Sequence, residues 1–189
     1  YLNSCIEFIF DYCYILFCNN HKLQKQNMQK TVTELPEIKL IGISCRTNNT
    51  SEMNISTAKI APTMQKYFQQ ALGEEIPNRK NPGTTYCVYT NYESDFTGDY
   101  TYFIGEEVNF LNPVSKEFSA IIIPAQSYAK FTSQPGAMPG VCISMWQNIW
   151  RIKSDELGGK RAYIADFEVY DNRALDLRKT VLDIYLGVK

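Results

Sequence analysis

The sequence predicts an α+β domain of two β-α-β-β units related by a pseudo-twofold axis, with one antiparallel sheet carrying two principal helices on a single face. Three observations predict it. Apolar runs of strand and helix period follow one another in the same order in both halves of the chain. Matching anchors recur about 80 residues apart: Pro36 with Pro124, Pro62 with Pro139, Tyr92 with Tyr170 and Gly105 with Gly187. A length of 189 residues, 44% hydrophobic and 21% charged, fits one globular domain and excludes a disordered or fibrous chain.

The elements follow in order. ELPEIKLIGISCRT reads as a first strand, with Ile38, Leu40, Ile41 and Ile43 after Pro36. A helix comes next, for which Ser56 and Thr57 are cap candidates and Pro62 suits the first turn. Its apolar residues Ile60, Met64, Tyr67, Phe68, Ala71 and Leu72 recur at helical spacing. Residues 78–83, rich in Pro, Gly and Asn, read as loop. TTYCVYTNY and DYTYFIGEEV are two strands joined by a turn containing Asp95, Thr97 and Gly98. The order then repeats. FSAIIIPAQSYAKF is a strand with an internal proline, and PGVCISMWQNIWRI is a helix with Cys142, Met145, Trp146, Ile149 and Trp150 on one stripe. RAYIADFEVY and TVLDIYLGV are the closing strands. A dyad between such units leaves a groove between the two helices, where small ligands bind preferentially, and an aromatic share of 13% would line it.

Residues 28–189 are expected to form a single domain of repeats 28–112 and 113–189. Residues 1–27 lack Gly, Ala, Pro, Val and Arg, a bias that ends abruptly at Met28, and they read as an upstream extension contributing little to the fold. The apolar run between Cys5 and Cys18 carries Glu7 and Asp11 and is too short to span a bilayer, so neither export nor membrane attachment is expected.

Charge and composition narrow the chemistry. With 19 basic and 20 acidic residues the net charge is −1, which supplies no counterion-release contribution and argues against direct DNA binding. His21, the single histidine, lies in the leading segment, so a Ser/His/Asp triad, a Cys/His pair or a histidine zinc site is hard to build. The six cysteines contain no C-x-x-C pair; Cys45, Cys87 and Cys142 read as buried thiols in a reducing cytoplasm. YESDFTGDY lacks the spacing of a calcium loop, so its acids read as turn chemistry. No metal and no cofactor are expected.

In ADFEVYD, strand alternation puts Ala165, Phe167 and Val169 on one face and Asp166, Glu168 and Tyr170 on the other. Alternation alone leaves Glu168 on a solvated face or in the seam, and leaves Trp146 and Trp150, one helical turn apart, as core or pocket wall. Tyr89, Tyr102 and Phe68 are open in the same way.

ELPEIKLIG, YCVYTNYESDFTGDYTYFIGEEV, IPAQSYAKF and MWQNIW followed by ADFEVYD, in this order, resemble the GyrI-like or AraC-type effector-binding domains, which include ligand domains of the BmrR type. The likeness spans residues 28–189. It implies a small-molecule sensor for bulky lipophilic cations, here as a stand-alone domain of the sort carried on mobile gene cassettes. It further implies that Glu168 meets the ligand's charge inside an aromatic cavity, with Trp146, Trp150, Tyr89, Tyr102 and Phe68 as ligand-binding residues. The expected partner is a lipophilic or cationic small molecule, with a second copy of the chain or a separate regulator as protein partner. Two alternatives stay open: a hydrolase of reactive electrophiles in which Glu168 and Tyr89 direct a water, and a gyrase-inhibitor-like protein binding a macromolecule.

Overall fold

The computed structural model describes residues 28–111 and 115–189; the expectations placed on residues 1–27, and the repeat boundary at residues 112 and 113, lie outside them. Eight strands form one sheet: β1 Gln29–Leu35, β2 Ile38–Thr47, β3 Thr85–Thr90, β4 Tyr100–Glu107, β5 Ser119–Ile123, β6 Gln126–Thr132, β7 Arg161–Tyr170 and β8 Asp183–Val188. Their order is β1-β6-β8-β7-β3-β4-β2-β5, and every pairing is antiparallel. Exchanging β1 with β5, β2 with β6, β3 with β7 and β4 with β8 returns the same order reversed. The pseudo-twofold therefore runs between β3 and β7.

The repeated unit carries one strand more than the expected β-α-β-β. Each long strand foreseen at its start is broken by its proline, Pro36 or Pro124, which has no N–H to give to a ladder. The piece before the proline crosses over: β1 pairs with β6 and β5 with β2, so each unit lends its first strand to the other's half of the sheet.

That exchange dictates the sheet's shape. β1 and β2 lie six strand spacings apart, about 29 Å in a flat sheet. The two residues linking them reach only about 11 Å, so the sheet must curl until its edges converge. The curled inner side buries Leu40, Val88, Phe103, Ile123, Tyr128 and Phe167, and among the described residues this cluster is built from strand residues alone.

The other side carries the larger core and the helices α1 Asn49–Glu52, α2 Ile60–Gln69, α3 Leu72–Glu75 and α4 Gly140–Ile149. Burial of Ile60, Ala61, Met64 and Tyr67 seats α2, and burial of Val141, Cys142, Ile143, Met145, Trp146 and Ile149 seats α4, both against this one face. The α2 cap differs from expectation. Ser56 and Thr57 make no cap; instead the buried carboxylate of Glu52, projecting from α1, accepts the backbone N–H of Lys59 at 2.9 Å and of Ile60 at 3.2 Å. A carboxylate offers the helix N-terminus a full charge where a hydroxyl offers only a dipole.

Gly42 and Gly105 stand opposite each other in β2 and β4, where a Cβ on Gly42 would lie 2.0 Å from the Ile104 carbonyl oxygen and one on Gly105 2.2 Å from that of Ile41. Only glycine permits this approach. The loop of residues 78–83 folds back onto the far end of β4, where Lys80 Nζ meets Glu107 at 2.8 Å and the Gly83 N–H donates to Glu106 at 3.1 Å.

Candidate functional site: a buried carboxylate among aromatic donors

The site begins with alternation along β7. Ala165, Phe167 and Val169 join the inner core, while Asp166, Glu168 and Tyr170 point to the helical face. Glu168 pairs across the central seam with Cys87 on β3 and on its other side with Ile184 on β8, so it stands beside the dyad under α4. It is fully buried, which excludes the solvated reading.

Three neutral aromatic groups donate to it. Trp146 Nε1, from α4, lies 2.6 Å from Oε1; the Tyr89 hydroxyl, from β3, lies 3.0 Å from the same oxygen; the Tyr170 hydroxyl lies 2.7 Å from Oε2 and 3.3 Å from Cys142 Sγ. Burial, and then the Glu168 charge, push the Tyr89 phenol well above its ordinary pKa; burial, Cys142 and then Glu168 do the same to Tyr170. Both stay protonated and therefore remain donors.

Aromatic rings continue outward from this centre. Tyr89 meets Trp146 edge-on at 5.4 Å, Tyr102 at 5.5 Å and Tyr100 at 5.8 Å; Trp150 lies 6.2 Å from Trp146. Trp146 is nearly buried, whereas Trp150, capping the C-terminus of α4, is 47% exposed and forms the solvent side of the cluster.

Of the residues expected at the site, Glu168, Trp146, Tyr89 and Tyr102 are thus brought together and Trp150 adjoins them. Phe68 is not brought in. It is 42% exposed on the outer side of α2 and packs edge-on against Tyr67 at 5.3 Å, because the helix turns Met64 and Tyr67 inward in its place. Sequence reasoning overlooked Tyr170 as a donor, although its i+2 spacing from Glu168 already placed both on one face.

Asp166 was overlooked too. Fully buried, it accepts from Tyr92 at 2.8 Å, the Gly187 N–H at 3.0 Å and the Arg161 guanidinium. Burial raises its pKa, with Arg161 acting against that rise. Arg161 also lies over the Tyr163 ring at 4.6 Å, inside a β7 irregularity where Tyr163 adopts a left-handed φ of 51°. Asp166 therefore anchors β7 to β8 and holds Glu168 in register.

The arrangement can hold a negative charge, buried from solvent, against aromatic rings and their donor groups. Among the described residues no group of three or more His, Cys, Asp or Glu side chains is placed to hold a metal ion, and no helix is long and apolar enough to cross a membrane.

A curled antiparallel sheet of two strand-exchanged units with two principal helices on one face fits a GyrI-like fold. Residues 31–188 match the Cass2 family, and the chain belongs to this family of integron-associated effector-binding proteins. It is similar to an integron cassette protein, VCH_CASS2, from the mobile metagenome of Vibrio cholerae. That structure is 28% identical with a TM-score of 0.66, over 87% of this chain and 100% of the other. It is also 27% identical to YobU of Bacillus subtilis (strain 168), provisionally named a transcriptional regulator, over 84% of this chain and 96% of YobU. The structure of SAV2435 bound to tetraphenylphosphonium shares the fold, with a TM-score of 0.69 at 19% identity over 85% of this chain and 94% of the other.

Proposed function

We propose that the protein is a binding domain for lipophilic cations, which it sequesters or reports to a partner, with Glu168 as the group that meets the ligand's charge. The observation that carries this reading is the fully buried Glu168 carboxylate, set at the dyad seam and bounded by Trp146, Tyr89 and Tyr170. A buried carboxylate is costly to desolvate, and a cation arriving over the surrounding rings offsets part of that cost. Aromatic faces add about 0.5–2 kcal/mol for each well-placed cation contact, while apolar area contributes affinity with little discrimination of shape. Membership of an effector-binding family supports small-molecule binding, and a protein of the same fold is bound to tetraphenylphosphonium, a lipophilic cation.

Calorimetric titration with tetraphenylphosphonium and with neutral triphenylphosphine oxide tests the reading. The cation should bind in the micromolar range and at least tenfold more tightly; equal affinities would overturn it. The 3.0 Å contact between Tyr89 and Glu168 also keeps the hydrolase reading in play. Turnover of a reactive electrophile that disappears in Glu168→Gln would replace the binder reading with that one.

A further inference from the structure

Two buried phenol hydroxyls, those of Tyr67 and Tyr102, have no nitrogen or oxygen hydrogen-bond partner among the described residues. Buried polar groups in native proteins are almost always satisfied, and a phenylalanine in either place would supply the same ring without the cost of an unpaired hydroxyl. The two lie in different settings. Tyr67, on α2, directs its hydroxyl toward Gly73, with Glu106 beside it. Tyr102 stands in the aromatic cluster, paired across the sheet with Tyr89, whose own hydroxyl is held by Glu168.

The neighbour of the Tyr102 hydroxyl is the Cys87 thiol, a weak acceptor. Burial keeps both groups protonated, the phenol and the thiol each being pushed well above their ordinary range. Tyr102 therefore presents a hydrogen that nothing in the fold takes up well, next to the site that the cation reading assigns to the ligand.

We propose that the Tyr102 hydroxyl donates to the bound molecule, so that the site selects lipophilic cations whose aromatic body carries a hydrogen-bond acceptor such as an ether or carbonyl oxygen. This rests on the cation reading of Glu168 and adds a second point of recognition to it. The charge is met by Glu168 and the acceptor by Tyr102, with Tyr89 between them. Ligand class is then set by the relative placement of positive centre and acceptor as well as by greasiness.

The experiment compares tetraphenylphosphonium, which has no acceptor atom, with its ortho-, meta- and para-methoxy and acetyl analogues. Binding is measured to wild type, Tyr102→Phe, Tyr67→Phe and Glu168→Gln, together with each variant's urea midpoint. At least one substituted cation should bind wild type roughly two- to tenfold more tightly than the parent, and Tyr102→Phe should erase that advantage, weakening the acceptor-bearing cation more than the parent. Tyr102→Phe and Tyr67→Phe should both raise the urea midpoint, because each removes an unpaired hydroxyl, but Tyr67→Phe should leave every affinity ratio intact. An advantage that survives in Tyr102→Phe overturns the proposal, as does a parent cation weakened as much as its analogues, or no analogue outbinding the parent. If Glu168→Gln leaves the parent cation's affinity unchanged, the cation reading itself fails, independently of the Tyr102 result.

Discussion

Replacing Glu168 by glutamine isolates charge from shape. The glutamine carbonyl can occupy the place of Oε1 and accept from Trp146 and Tyr89. Its amide nitrogen then faces Tyr170, whose hydroxyl can turn to donate to Cys142 Sγ at 3.3 Å and accept from the amide. The urea midpoint should therefore move by no more than about 1 kcal/mol equivalent, since weaker hydrogen bonds are offset by removing a buried charge. Cation affinity should respond much more. A positive centre seated over a ring beside the carboxylate lies about 6 Å from it, and at an effective dielectric constant of about 20 the attraction is about 2.8 kcal/mol. That corresponds to roughly a hundredfold loss in affinity for tetraphenylphosphonium, with triphenylphosphine oxide unaffected. Because Trp146 and Trp150 are the chain's two tryptophans, quenching of intrinsic fluorescence reads out the site directly. Raising salt should change the result little, as the pair is shielded from the ionic atmosphere. A Glu168→Gln protein with an unchanged urea midpoint that binds the cation within threefold of wild type would refute the assignment.

Three further outcomes are expected. Glu52→Ala removes acceptors for Thr47 and for the Lys59 and Ile60 N–H groups, and should cost about 2–4 kcal/mol in urea unfolding with hydrogen exchange accelerated first in α2; a loss under about 0.5 kcal/mol would show the helix is capped otherwise. Burial pushes Asp183 upward, but hydrogen bonds from Thr132, Arg173 and Lys130 outweigh it and hold the carboxyl below its ordinary value. Its contribution is thus present above about pH 4 and lost as pH falls through the depressed value, so Asp183→Asn should flatten the acid limb of the stability curve, and an unchanged slope would contradict this. Gly105→Ala drives a methyl group into the Ile41 carbonyl and should destabilise the fold by about 2–4 kcal/mol, read as a fall in thermal midpoint; a neutral effect would mean β2 and β4 can separate there at little cost.

What the sequence discloses here follows from how local each determinant is. The β7 alternation and the α4 stripe are read from neighbours within one turn or one pleat, and Glu168, Trp146 and Tyr89 follow from them once both elements share a face. Whether Glu168 meets water or protein depends on α4 crossing β7, which no local period encodes. The breaks at Pro36 and Pro124 were visible as prolines, yet the strand lent to the opposite half of the sheet is a decision taken by residues about 95 positions away, as in Thr33 opposite Tyr128. The Glu52 cap was obscured because a carboxylate seven residues ahead of Lys59 reaches the helix only through the folded α1 turn. Phe68 misled for the opposite reason: one helical position further round than Tyr67, it shares the apolar character of the stripe without its direction.

The lending of first strands between halves has a consequence for how the chain is made. During synthesis β1 emerges roughly 90 residues ahead of β6, the strand it pairs with, and the outer edge of β2 stays open until β5 arrives. Contacts this distant in sequence slow folding, and an early half-chain displays two unclosed edges to any neighbour on the same message. Two nascent chains that closed each other's edges would keep the same local pairings as a single chain closing its own.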